Sequence, residues 1–154
     1  MSDKSNLAVV QEFLQRFGES NHPLLYELQS QVDWTIFQGP AEAVVPWFGH
    51  FRGRDAAGEC MDAFTRTIQI REFSVKDYLS GPYKVGAIID ARYRCKDTEK
   101  TFSMNFVNVM EVRNNRIASI HEYGDTADAV QAFSSHKNST SPKQRSQHDN
   151  SCCT

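Results

Sequence analysis

Two adjacent residues late in the chain, His121 and Glu122, are by type the best suited to move protons. A carboxylate that faces an apolar interior is desolvated, so its pKa rises and it can act as a general acid or base near neutral pH. An imidazole in the same place would shuttle protons over the same range. Only one of the two can face inward, because successive side chains of a strand point to opposite faces. The alternation does not choose between them. Ile117, Ser119, His121 and Tyr123 form one parity, and Arg116, Ala118, Ile120 and Glu122 form the other, with no clear difference in polarity. The plain alternative is that the inward residue is packed or interfacial and that Glu122 meets water at the sheet edge.

Asp90-Ala91-Arg92 is a second constellation, since side chains two apart on a strand share a face and can pair. The competing reading is a solvated row of Asp90, Arg92, Arg94 and Lys96 behind a clean apolar face of Ile89, Ala91, Tyr93 and Cys95. Asn105 and Asn108 have opposite parity, so one of them is expected to point inward. There an uncharged amide could donate to a carbonyl or enolate oxygen. Trp34 and Trp47 are candidate walls of the same site, as is Tyr123, and Asp33 beside the first is, with Glu42, one of two acids in this early region.

The elements that must position these residues follow from periodicity. Residues 6–18 repeat Leu7, Val10, Phe13, Leu14 and Phe17 at helical spacing, with Gly18 as the stop. A short second helix is expected from Asn21 as N-cap, with Pro23 in its first turn. A strand over 32–37 breaks at Gly39-Pro40, and 47–52 reads as its hairpin partner. Asp55 is expected to cap a third helix to about Ile68, with Ala57, Met61, Phe64 and Ile68 as its apolar stripe. From there the period is two, with strands over 69–79, 83–96, 101–113 and 116–123. Asn114-Asn115 makes the last hairpin turn, because Asn tolerates positive φ at both central positions. Helices set apart from a run of strands predict an α+β fold, with the helices on one face of the sheet. After Phe133 almost nothing is apolar, which predicts one domain over 1–133 and a disordered polar tail over 134–154.

Composition narrows the function. The 154 residues are 40% hydrophobic and 23% charged, enough for one domain with its own core. A net charge of −2 carries no basic excess for phosphates, which argues against nucleic acid. No apolar run could span a bilayer, and Met1 to Ser5 open no leader-like stretch, so the expected address is the cytoplasm. Cys60 and Cys95 read as buried thiols. Cys152 and Cys153 lack a ligand-spaced His, and their ending is not a C-a-a-X box, so neither metal nor lipid is expected. P-loop, G-x-G-x-x-G, nucleophile-elbow and H-E-x-x-H patterns are all absent, so the expected chemistry uses no cofactor.

Two stretches carry a resemblance. The run from Trp47 to Asp55, WFGHFRGRD, resembles the glycine-punctuated step into the third helix of SnoaL-like proteins. Asn114-Asn115-Arg116-Ile117, followed by the HEYGDT run from His121 to Thr126, resembles that family's closing hairpin, with Asn115 where glycine is usual. The match covers residue 6 to about 133 and points to the SnoaL-like branch of the nuclear-transport-factor-2-like (NTF2-like) superfamily. That superfamily includes ketosteroid isomerase, polyketide cyclases and limonene epoxide hydrolase.

The resemblance implies a cone-shaped α+β barrel, with three helices packed on a strongly bent, mostly antiparallel sheet around a deep apolar pocket. It also implies a homodimer paired through the sheet's outer face. Apolar residues on both parities of one strand, Met104, Phe106 and Met110 against Val107 and Val109, agree with a cover on each face. By register from Tyr123, Glu122 matches the catalytic carboxylate of limonene epoxide hydrolase. That enzyme's Arg-x-Asp pair lies on the strand of Asp90 and Arg92, in reversed order. Trp34 matches its water-holding Tyr, but Ile36 replaces the Asn two residues on, which counts against epoxide hydrolysis. Fold alone does not fix function. The expected activity is isomerisation, cyclisation or dehydration of a hydrophobic carbonyl-bearing metabolite. Glu122, His121, Asp90 and Arg92 are the catalytic candidates, and Trp34, Trp47, Asn105 and Tyr123 are the binding candidates. The rival is a non-catalytic module that uses the same pocket for a small molecule or the same fold for dimerisation.

Overall fold

The computed structural model describes residues 5–19 and 22–138. Helix α1 (Asn6–Gly18) starts where the Ser5 hydroxyl accepts a hydrogen bond from the Ala8 backbone N–H, and it buries Val9, Val10, Phe13 and Leu14. The expected second helix is a 3₁₀ segment, His22–Glu27. Strand β1 (Leu28–Ile36) is longer than expected, and β2 (Gly49–Arg52) pairs with it antiparallel. Helix α2 (Arg54–Thr67) is capped by Gly53 at φ 91° rather than by Asp55. Asp55 instead lies in the first turn, where its charge suits the helix dipole. Strands β3 (Ile68–Ser80), β4 (Lys84–Cys95), β5 (Thr101–Arg113) and β6 (Arg116–Gly124) form the meander. Asn114 and Asn115 adopt φ of 53° and 61°, as the two-residue turn requires.

The six strands form one sheet in the order β2-β1-β6-β5-β4-β3, antiparallel except for the parallel contact of β1 with β6. Beneath its inner face lie α1, against β3 to β6, and α2, against β1, β2 and β3. Two register shifts in β3, at 70–72 and 75–77, bend that long strand around the helices. Strict alternation on β4 and β5 sends Val85, Ala87, Ile89, Ala91, Tyr93 and Cys95, and Phe102, Met104, Phe106 and Met110, into the core. The architecture is therefore α+β, three helices on a six-stranded, mostly antiparallel sheet.

A third helix, α3 (Ala127–Asn138), was not expected. Its apolar content is small, but Ala129 and Ala132 are buried, Phe133 packs edge-on to Phe102, and the Thr98 hydroxyl donates to the Ala132 carbonyl. Tertiary contact overrides a weak local pattern. The helix carries the chain past the Phe133 boundary to Asn138, and the remainder of the expected tail, 139–154, lies outside the described residues. Among the described residues no helix is long and apolar enough to cross a membrane.

At the end of β6 the backbone of Gly124 is pressed against β5. A Cβ there would sit 2.8 Å from the Asn105 carbonyl oxygen and 2.9 Å from the Phe106 Cβ. Both contacts are too close to be met without moving a strand. Gly124→Ala should therefore lower stability by about 1–3 kcal/mol, read as a lower urea midpoint at unchanged slope.

Candidate active site

Ile117, Ile120 and Glu122 of β6 all face inward, a spacing of three and then two. A bulge produces it: Ser119 pairs with Glu111 and Ile117 with Val112, so Ala118 has no partner on β5. The parity therefore switches within the strand. Glu122 enters the core beside Asn108 of β5, its direct cross-strand partner, and His121 is sent to the outer face. There the His121 ring stacks on that of Tyr123, with centroids 4.3 Å apart.

Glu122 is 8% exposed and sits among aromatic and aliphatic side chains. Its Oε2 accepts a hydrogen bond from Trp34 Nε1–H at 2.9 Å. Among the described residues Oε1 has no hydrogen-bond donor. Burial drives the carboxyl pKa up to about 7, and the Trp34 hydrogen bond holds it back from rising further. Trp34 is in turn placed by the parallel pairing of β1 with β6, which sets Trp34 against Ile120 and Ile36 against Glu122.

The carboxylate borders a narrow cavity of about 20 Å³, room for roughly one water molecule. Phe13, Leu14 and Phe17 of α1, Cys60, Met61 and Phe64 of α2, and the two tryptophans line it. Its polar groups are few. Among the described residues Asn108 Oδ1 and Trp47 Nε1 have no hydrogen-bond partner although both are buried, and Tyr93 contributes a phenol. Burial raises the pKa of both Tyr93 and Cys60, with the nearby charge of Glu122 adding to it, so both stay protonated near neutral pH. The Cys60 thiol donates weakly to the Trp47 carbonyl at 3.6 Å.

Of the sequence candidates, Glu122, Trp34 and Trp47 meet at this cavity, while His121, Tyr123, Asp90, Arg92 and Asn105 do not line it. Asp90 lies on the outer face 3.8 Å from Lys76 Nζ, and Arg92 lies 3.5 Å from Glu72. They form the solvated row rather than a buried pair. Asn105 also faces outward, and with its amide nitrogen turned toward Asp90 it donates to Oδ1 at 3.1 Å. Asn108 takes the inward place, as the lone polar member of the row Phe102, Met104, Phe106, Asn108 and Met110. Tyr93 was legible only as part of an apolar face. Asp33 is on the outer side, held by His50 at 2.5 Å and Arg52 at 3.0 Å. Among the described residues no group of three His, Cys, Asp or Glu side chains could hold a metal ion.

No family model and no curated protein matches this sequence. Solved structures do match its fold. An NTF2-like protein of unknown function from Burkholderia pseudomallei is 19% identical, with 86% of this chain and 98% of that one covered at a TM-score of 0.74. A protein provisionally named an isomerase from Rhodopseudomonas palustris is 17% identical over 85% and 97% of the two chains, at 0.71. Another, provisionally named a polyketide cyclase, from Xanthomonas campestris pv. campestris, is 17% identical over 82% and 95%, at 0.65.

The raised pKa of Glu122 has a consequence for stability. The folded state holds a proton on Glu122 up to about pH 7, whereas the ordinary carboxyl value is 4.5. Between those values the native state binds more protons than the unfolded one, so stability falls as pH rises, by on the order of 3 kcal/mol, and levels above 7. Neighbouring Tyr93 and Cys60 stay neutral throughout that window and do not offset it. Glu122→Gln should remove this slope, measured as urea unfolding free energy from pH 5 to 8, and should be more stable than the parent at pH 8.

Proposed function

From the NTF2-like fold of this chain, we propose that it is a cofactor-independent acid–base enzyme that isomerises, cyclises or dehydrates a hydrophobic carbonyl compound. The observation that carries this reading is Glu122, one carboxylate in an apolar interior with one oxygen held by Trp34 and the other free. A pKa of about 7 keeps both protonation states populated at neutral pH, which suits a group that must take a proton and return it.

In the isomerase form of the reaction, ionised Glu122 removes a proton through Oε1 from the carbon next to the carbonyl. The electron pair of that C–H bond moves onto the carbonyl oxygen and gives an enolate. Trp47 Nε1–H and the Tyr93 phenol are donors suited to that oxygen, and their surroundings strengthen such bonds because water is excluded. Protonated Glu122 then returns the proton to the far end of the conjugated system, so base and charge are both restored. The Asn108 amide, opposite Glu122, can hold the substrate's second oxygen. His121, Asp90 and Arg92 have no part in this scheme, and neither do Asn105 and Tyr123.

Proton transfer of this kind can be tested before the natural substrate is known. NMR should show solvent deuterium entering cyclic aryl ketones such as 1-tetralone, beside the carbonyl, faster with the protein than without it. Glu122→Gln should lower that rate 10²- to 10⁴-fold with folding intact by circular dichroism. The wild-type rate should rise with pH and level off above about 7, because the base must be ionised. An exchange rate equal to background across a panel of such ketones would favour the non-catalytic binding module.

A homodimer through the outer face is part of the same proposal. Ile88, Val107 and Val109 stand half-buried there, with Leu79 57% and Tyr123 53% exposed, an apolar row for a second copy to cover. Sedimentation at micromolar concentration should give twice the chain mass, and a clean monomer would remove the claim.

A further inference from the structure

A cavity that holds one water cannot hold a carbonyl compound of useful size, so some side chain must leave for a substrate to enter. Two backbone features set Phe37 apart from the other wall residues, and a third gives its ring somewhere to go. Its φ is 43°, a left-handed conformation that a bulky side chain rarely adopts. It is followed by Gln38 and by Gly39 at φ 140°, a pair that can absorb a change of backbone direction, and its N–H makes only a long 3.4 Å bond to the Glu122 carbonyl. It also lines two spaces at once: the narrow cavity and an open depression of about 400 Å³ over residues 37–41, 121–124 and 126. Glu122 borders both spaces as well.

The Phe37 ring sits 5.0 Å from Phe48 and, edge-on, 5.8 Å from Phe106, in a slot shaped for one flat ring. We propose that Phe37 is a placeholder. It occupies the position of the substrate's own ring, and it swings into the outer depression to admit that ring between Phe48 and Phe106, next to Glu122. Exchanging one aromatic ring for another keeps the core filled, so the vacated slot leaves no standing void. This deepens the acid–base reading by naming the ligand class and its route.

The depression supplies the rest of the specificity. Gln38, His121 and Thr126 offer hydrogen bonds, no Lys or Arg among the described residues lines it, and Glu122 lies at its inner edge. A carboxylate or phosphate arm has nothing there to neutralise it, whereas a hydroxyl or carbonyl arm finds partners. The ligand that fits is elongated and uncharged, with a flat ring at one end and a neutral oxygen-bearing arm at the other. His121 and Thr126 thus become specificity residues, outside the proton-transfer step.

Both tryptophans of the chain line the cavity, so their fluorescence reports on access to it alone. Phe37→Gly, which also relieves the left-handed strain, and Phe37→Ala should raise acrylamide quenching several-fold. Phe37→Gly should bind the neutral probe 4-phenylphenol at least tenfold more tightly than wild type by calorimetry. The same variant should bind 4-phenylbenzoate at least tenfold more weakly than 4-phenylphenol. Ala41→Phe, which narrows the depression without touching the cavity, should weaken 4-phenylphenol binding to the otherwise unchanged protein. Folded Phe37 variants with wild-type quenching and affinity would overturn the proposal. So would greater quenching in Phe73→Ala, which opens the groove between α1 and β3, or equal affinity for the two probes. These readouts do not depend on proton transfer. The placeholder can therefore fail while deuterium exchange by Glu122 stands, and exchange can fail while the placeholder stands.

Discussion

The hydrogen bond from Trp34 to Glu122 is where the sheet, the core and the proposed chemistry meet. A carboxylate removed from water is expensive unless something compensates it, and a single indole N–H compensates only in part. The result is a group held between two protonation states. Its position depends on a parallel strand contact in an otherwise antiparallel sheet, because only that contact brings β1 and its tryptophan alongside β6. A second donor, or an arginine, would have held the carboxylate ionised and left it a poor base. An alkane wall alone would have kept it protonated. One weak donor gives the intermediate state that proton transfer uses.

Around that pair the core is built from aromatic edges. Trp47 meets Phe48, Phe64 and Tyr93 close to edge-on, and Phe64 and Tyr93 meet each other the same way. T-shaped contacts of this kind are individually small and can form again after a ring turns, unlike interlocked aliphatic branches. The same rings that exclude water from Glu122, and so raise its pKa, also leave little empty space beside it. Exclusion of solvent and room for a ligand are in opposition here, and a mobile wall residue is one way to satisfy both.

How much could be read beforehand depended on where the pattern was regular. Phe13 and Leu14 on α1, the Asn114-Asn115 turn, and the unbroken alternation of β4 and β5 were legible because each is set by its own neighbours in sequence. Period-two reasoning failed at β6, where the unpaired Ala118 switches the parity in mid-strand, and so it could not choose between His121 and Glu122. Asn108 could have been preferred to Asn105 by its company, since Met104, Phe106 and Met110 share its parity while Ser103, on the Asn105 parity, is polar. Helix α3 was missed because two alanines, a valine and one phenylalanine are a faint stripe. Its stability comes from the strand beneath it. Phe37 gave no signal at all, because its role lies in a backbone angle and in two spaces that exist only once the chain has folded.

The bulge at Ala118 lets β6 carry one residue more than β5 over the same span while its inward residues stay opposite those of β5. With the Asn114-Asn115 turn fixed, loss of that one residue would restore simple alternation beyond Ile117. It would leave Glu122 opposite Asn108 on the inner face and His121 opposite Val109 on the outer one, because every residue from Ser119 onward keeps its β5 partner. The unpaired alanine therefore takes up one surplus residue of β6 without deciding which side chain enters the core. A lineage carrying this hairpin could gain or lose that one codon and still present the same carboxyl to Trp34.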